Sequence, residues 1–380
     1  MKTFATAFLM LLLGMGMKAQ TCPERSGPGS PTFFYTQGEV DSFVIRYPDC
    51  VKAVEISISG GNIHNLEGFN RIESVDELLI LNTTALQDFS GLSSLKTIEE
   101  RFSIAQTTGL KNLKGLESLE SINGSVRVRF NRSLKDLTGL EGLKAAGSMY
   151  IFGNDSLRSL KGLENLESTA GGIILRFNKS LKDLTGLEGL KTIGPTGTLI
   201  IEQNDSLQSL NGLQNLKSIK GSMIIQSNPQ LTDISGLDHT MIIRDRLSIE
   251  KNPMLEACIV QAVCDYPKYQ LVLSGFWVQE NLGACYDMQE VLGRCEDVPL
   301  RENRLEAIKV SPNPTRSMVS LTGSEAQIDE IQIADAIGRM VWQQAAPISQ
   351  PIDLGKLATG MYVMILRSGR EIVAKRIVKM

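Results

Sequence analysis

Histidine is almost missing from this chain. Only His64 and His239 occur in 380 residues, far apart in the sequence, so no histidine pair can ligate a metal or relay a proton. The cysteines form no CxxC pair of the kind zinc ribbons need, and no serine stands in a GxSxG turn or beside a recognisable triad partner. No cofactor or metal is expected. Basic charge is not in excess either: 39 Lys and Arg against 42 Asp and Glu give a formal net charge of −3. Neutralising phosphates needs a basic stripe, so a nucleic-acid partner is not expected. Aromatic residues make up only 6% of the chain, which gives weight to any place where they gather.

Long apolar runs are absent beyond the N-terminus. There, Met1-Lys2 is followed by an apolar run from Phe4 to Met17 and then by Lys18-Ala19-Gln20. This is the order of a secretory signal peptide, and the run is too short to span a bilayer comfortably. The mature chain is therefore expected to be exported and to have no transmembrane segment. A hydrophobic content of 42% with 21% charged residues is ordinary globular composition, with room for two or three domains.

What fills the chain is repetition. NRSLKDLTGLEGLK at 131–144 returns as NKSLKDLTGLEGLK at 178–191, and weaker copies flank both. Copies begin at Gly68, Gly91, Gly115, Gly139, Gly162, Gly186, Gly212 and Gly236, at intervals of 23 to 26 residues. A period in the twenties marks a solenoid, in which each copy forms one coil and stacked coils bury a shared core. Within a copy, Val126 and Val128 alternate as in a short strand, and Leu134, Leu137, Leu140 and Leu143 then recur every third residue. That switch suits a strand followed by chain bending around a core. The strand pair runs as Leu78/Ile80, Phe102/Ile104, Val126/Val128, Met149/Ile151, Ile173/Leu175, Leu199/Ile201, Met223/Ile225 and Leu247/Ile249, which predicts one parallel sheet. Three residues beyond each pair stand Thr83, Thr107, Asn131, Asn154, Asn178, Asn204, Asn228 and Asn252. Side-chain amides at such bends can satisfy backbone groups that the turning chain leaves unpaired, so this polar ladder reads as structural.

The LxxLxGLxxL, strand and Asn pattern over roughly 44–258 resembles the leucine-rich repeat proteins, and within them the receptor L-domain type. The resemblance implies a coil of strand and loop with little helix. TQGEVDSFVIRYPDC, 36–50, is similar to the N-terminal cap of exported bacterial members, and a preliminary coil follows with Ile56 and Ile58 as its pair and Gly61 in the Asn slot. The six cysteines lie outside the array. An even count in an exported chain favours disulfides. Cys22 with Cys50, Cys258 with Cys285 and Cys264 with Cys295 is the preferred set, although the last four allow three pairings.

Beyond Cys295 the grammar changes to short alternating runs broken by Pro and Gly, as in a small β-sandwich. Pro312-Asn313-Pro314, Asp335 to Gly338-Arg339, Asp353-Leu354 to Leu357, Gly360-Met361-Tyr362 and a basic finish from Lys375 are similar to the type IX secretion C-terminal sorting domain of the Bacteroidetes. The resemblance implies recognition by the secretion machinery, removal of the tail, and a passenger attached at the outer-membrane surface or released. Asp155-Ser156-Leu157 and Asp205-Ser206-Leu207 also match an O-glycosylation acceptor pattern of that phylum, with plain turn residues as the alternative for Ser156 and Ser206.

The expected organisation is a signal peptide at 1–20, an N-terminal cap and first coil at 21–67, and the leucine-rich solenoid at 68–258. A Cys-rich cap at 259–295, a linker at 296–307 and the sorting domain at 308–380 follow. The fold class is mainly β: a leucine-rich, L-domain-like parallel β solenoid with a small C-terminal β-sandwich.

Function is sought on the outward strand positions. Arg127, Arg129 and Phe130, then Tyr150 and Phe152, then Ile174, Arg176 and Phe177 occupy three adjacent coils. Arginine with aromatics is the composition of binding hot spots and sugar-stacking surfaces. The alternative is that Phe130 and Phe177 pack at a corner and Ile174 lies under a loop. Later coils present Glu202, Gln203, Gln226, Glu250 and Lys251, read as a solvated face. Glu202 and Glu250 share one strand position two coils apart; at about 4.8 Å per coil they stand roughly 10 Å apart, at or beyond the limit for a glycosidase pair. The expectation is a non-enzymatic surface or secreted protein that binds a protein or glycan ligand, with a β-helical glycan-active enzyme and a structural coat component as alternatives.

Overall fold

The computed structural model describes Cys22 and residues 32–380, apart from 196, 240, 270–274, 296–307, 323–327, 336–338, 347, 349–350 and 369–370. The expected signal peptide, the linker and Gly338 lie outside the described residues.

Eleven parallel strands stack in sequence order: Phe33–Phe34, Lys52–Ile58, Ser74–Leu81, Thr97–Ala105, Ser121–Arg129, Ala145–Phe152, Ile173–Arg176, Leu199–Glu202, Met223–Gln226, Leu247–Glu250 and Phe276–Gln279. The register brings equivalent repeat positions side by side, as in Val126↔Met149↔Ile173↔Leu199↔Met223↔Leu247. Each expected strand pair points inward and is buried, and so are the leucines of the following turns, Leu134, Leu137, Leu140 and Leu143 among them. The three-residue spacing thus builds turns and bends around a core, with short 3-10 turns at Glu67–Phe69, Ser90–Leu92 and Ser235–Leu237.

The asparagine ladder holds the coils in register. Asn178 Oδ1 accepts both the backbone N–H and the side-chain amide of Asn154, each at 3.1 Å, while Asn178 Nδ2 donates to the Ile151 carbonyl of the preceding coil at 2.9 Å. The backbone N–H bond to the Oδ1 of the next rung recurs from Thr107 through Asn131, Asn204, Asn228 and Asn252. All of these ladder side chains are fully buried. Burying so much amide is tolerable because each group finds a partner. At the N-terminal end the ladder runs out, since the buried Thr83 hydroxyl has no partner among the described residues.

The C-terminal segment extends the array as well as closing it. Phe276 and Val278 pair in register with Leu247 and Ile249, and Asn281 supplies one more rung, accepting from Asn252 and donating to the Ile249 carbonyl. Disulfides Cys258–Cys285 and Cys264–Cys295 close this end, and Cys22–Cys50 ties down the other. There the helix Gln37–Arg46, opened by a Thr36/Glu39 capping box, lays Val40 and Phe43 over the first coil. The open end of the core is thereby covered.

The C-terminal module forms two antiparallel sheets. One joins Lys309–Ser311, Met318–Thr322 and Ile352–Asp353; the other runs Met340–Ala345, Glu330–Asp335, Gly360–Ser368, Glu371–Lys379. Their facing side chains, including Val319 and Ile352 from the first and Ile331, Ile333, Met364 and Ile377 from the second, make one core.

Replacing Asn178 with Ala leaves the Asn154 N–H and the Ile151 carbonyl without their side-chain partner inside the solenoid. A loss of about 3 kcal/mol is expected in urea unfolding of the full chain; a loss indistinguishable from that of a surface Asn→Ala change contradicts the structural role of the ladder.

Candidate functional site

The outward strand positions form two rows. One runs Ser103↔Arg127↔Tyr150↔Ile174↔Ile200↔Ile224↔Ser248↔Trp277, the other Ala105↔Arg129↔Phe152↔Arg176↔Glu202↔Gln226↔Glu250↔Gln279. The Arg127 guanidinium lies over the Tyr150 ring, 5.8 Å from its centroid. Arg176 Nε sits 2.6 Å from Glu202 in an ion pair whose side chains are 38% and 20% exposed. The sequence reading of the later coils as a solvated face is incomplete. Ile200 and Ile224 continue the row of Tyr150 and Ile174, so apolar surface extends over four coils, and Trp277, 43% exposed, stands at its far end.

Phe130 and Phe177 belong to neither row. Each follows its strand and adopts a left-handed backbone, φ +57° and +56°, as do Gln106, Gln203, Ser227, Lys251 and Glu280 at the same place in their coils. The strand ends there because the left-handed residue turns the chain so that the next side chain, the ladder Asn, points inward. Such a conformation costs roughly 1–2 kcal/mol in a residue with a Cβ, and the buried amide bonds offset it.

Corner packing and exposure coexist. Phe152 lies between Phe130 and Phe177 of the neighbouring coils, edge-to-face with both, at centroid distances of 5.1 and 5.0 Å. Phe130 nevertheless stays 47% and Phe177 37% exposed. Between them the corner residue is Gly153, at φ +66°, where an added Cβ would lie 2.8 Å from Phe130 Cδ1. Glycine here admits the ring. Gln106, Thr108, Arg132, Asp155 and Lys179 complete the lining of a groove of about 600 Å³ over the three rings. None of these five figured among the expected site residues. All but Gln106 directly follow a ladder position, so comparing the ladder's neighbours from coil to coil would have found them.

The expected residues therefore form two adjoining groups. Arg127 and Tyr150, with Ile174, lie on the sheet face; Phe130, Phe152 and Phe177 gather at the corner, with Arg129 and Arg176 on the strand between. Lys179 approaches Asp155 at 3.8 Å, while Arg127, Arg129 and Arg132 form no ion pair among the described residues.

Other candidates have local tasks. Glu202 is held by Arg176, Glu250 bonds Ser248 and Gln279, and Gln226 lies between them in register. His239 Nε2 meets the Leu216 carbonyl at 2.7 Å, and His64 stays in an exposed loop. Ser156 and Ser206 occupy turns closed by N–H bonds from the buried Leu157 and Leu207 to the ladder carbonyls of Asn154 and Asn204. No group of three or more His, Cys, Asp or Glu converges as a metal site among the described residues.

In the C-terminal module the motif residues hold the last strand and the turns. Asn313 donates to the Arg376 carbonyl and accepts from the Val378 N–H, between Pro312 and Pro314. Asp335 accepts from the Arg339 N–H and guanidinium, and the Tyr362 hydroxyl donates to the Ala358 carbonyl two residues before Gly360. Lys375 pairs with Met364 across the last two strands.

Residues 309–380 match the family model of the secretion system C-terminal sorting domain. The chain carries a secretion tail. Residues 171–269 match the receptor L domain, so the solenoid is similar to that family over its later coils. No curated protein matches the chain. The sorting domain marks it as an exported protein of the cell surface or exterior, and no helix among the described residues is long and apolar enough to cross a membrane. The aromatic corner lies mostly before the L-domain match, which includes only Arg176 and Phe177 of the expected ligand residues.

Gly153→Ala forces a Cβ against the Phe130 ring and a left-handed alanine. Urea unfolding should show a loss of about 1–2 kcal/mol, whereas a neutral effect would mean the ring is not seated over Gly153.

Proposed function

We propose that this is a non-catalytic binding protein, exported through a type IX secretion system, whose exposed sheet face recognises a macromolecular ligand at the cell surface or beyond it. One observation carries the reading: the outward face of the sheet concentrates arginine, aromatic and isoleucine side chains on adjacent coils, in positions a solenoid could fill with any polar residue. Arg127, Tyr150, Ile174, Ile200 and Ile224 form a continuous row, with Arg129, Phe152 and Arg176 beside them. Hot spots are built from such residues in a flat, rigid setting. Strand-borne side chains are also held in place before a ligand arrives, which lowers the ordering cost of binding. The non-catalytic part of the proposal is supported by the separate engagement of Glu202, by Arg176, and of Glu250, by Ser248 and Gln279.

Two tests follow. Replacing Arg127, Arg129, Tyr150 and Arg176 together with alanine should abolish binding of the full chain to its targets on protein and glycan arrays; unaltered binding removes the sheet face from consideration. Intact mass of the exported product should show that the sorting tail has been cleaved off, and a surface form that still contains Lys375 to Met380 would exclude the proposed route.

A further inference from the structure

The corner groove can be assigned a ligand chemistry. Its floor is three phenylalanine rings, none with a polar atom, set edge-to-face at interplanar angles of 80° and 65°. Sugar rings stack on flat aromatic faces and bond through polar handles beside them. Rings inclined to one another instead wall a pocket, and a pocket suits a compact apolar side chain. The volume of about 600 Å³ exceeds what one side chain fills, so the flanking residues of a peptide would enter with it.

Charge decides what those flanking residues are. Phe130 stands between Arg129 and Arg132, and Arg127 lies on the sheet next to them; all three lack an ion pair among the described residues. The other two cations near the rings, Arg176 and Lys179, already approach Glu202 and Asp155. Of the charged residues that line the groove, Lys179 meets Asp155 while Arg132 has no ion pair among the described residues, and Arg129 lies beside it on the strand, so a chain of net charge −3 presents an excess of basic charge beside an apolar floor. Guanidinium groups suit carboxylates, which they take in bidentate fashion.

We propose that the groove formed by Phe130, Phe152 and Phe177 accepts one apolar side chain of a partner protein, carried on an acidic segment whose carboxylates meet Arg129 and Arg132. This rests on the binding reading above and specifies the partner chemistry at its edge. The groove belongs to the duplicated part of the array. The near-identical 131–144 and 178–191 segments each follow an Arg-Phe dipeptide, and the single coil between them contributes Phe152 and the small Gly153 that lets the first ring settle. Two copies of one corner with a glycine spacer make a pocket that neither corner makes alone.

The test selects a random dodecapeptide display library on the full chain and, in parallel, on Phe130→Ala/Phe177→Ala and on Arg132→Glu. These residues are exposed or lie on the surface turn, and thermal unfolding checks that each variant is folded. Peptides enriched on the unaltered chain should carry an aliphatic or aromatic residue flanked by Asp or Glu. A synthetic copy of the most enriched peptide should bind each variant at least tenfold more weakly, and raised salt should weaken binding to the unaltered chain. Enrichment without that pattern, or equal binding to both variants, overturns the proposal. If equal binding is abolished by Ile200→Asp, the sheet-face reading stands and only the corner assignment fails. If no peptide is enriched while polygalacturonate binds and is lost in the double phenylalanine variant, the partner is an acidic glycan and the protein assignment is overturned. Should neither probe bind, the corner assignment falls, while the array measurement on the Arg127/Arg129/Tyr150/Arg176 variant separately decides the broader reading.

Discussion

Every feature of the solenoid depends on how the backbone is satisfied at the corner after each strand. A chain that must bend sharply around an apolar core turns polar groups toward that core, and no water is there to receive them. The buried ladder from Asn131 to Asn281 answers this with one side-chain amide per coil, which bonds to neighbouring coils. Because each rung serves two coils, the repeats are held in register and cannot be treated as independent units. Stability is then shared between neighbouring coils, as expected for a quasi-one-dimensional protein.

The same constraint shapes the surface. For the Asn to point inward, the residue before it takes a left-handed conformation, and its side chain is directed outward at a fixed place in every coil. Most coils put Gln, Ser, Lys or Glu there. Two put phenylalanine, with glycine at the intervening corner, and the third ring arrives from the strand position beside it. The candidate site is therefore a by-product of the corner geometry that supports the core. Its walls are as rigid as the ladder beneath them, so a ligand meets an ordered surface.

Much of this was legible in the sequence. The inward strand pairs, the leucines at every third position and the polar ladder all follow from a repeat whose period changes from two to three. Antiparallel pairing in the tail likewise follows from its alternating runs. Three features were harder to read. Asn281 lies 29 residues beyond Asn252, outside the 23 to 26 residue rhythm, because a longer cap segment is folded in between. The left-handed corners are occupied mainly by residues with a Cβ, so glycine, the usual signal, marks only Gly153. Ile200 and Ile224 were hidden because apolar residues in a strand are taken for core, while here both members of an inward pair and the residue between them are apolar. The groove itself joins three rings from separate coils, and no single segment displays it.

The central claim is that ligand recognition belongs to the outward face and corner of coils 121–179, on a scaffold held by the ladder. Hydrogen exchange of the full chain, with and without a ligand recovered from the arrays, tests it most directly. The account predicts added protection at 125–132, 148–155 and 173–179, with the leucine turns at 134–143 and 157–166 unchanged. Protection confined to those turns, or to the tail beyond 309, would contradict it.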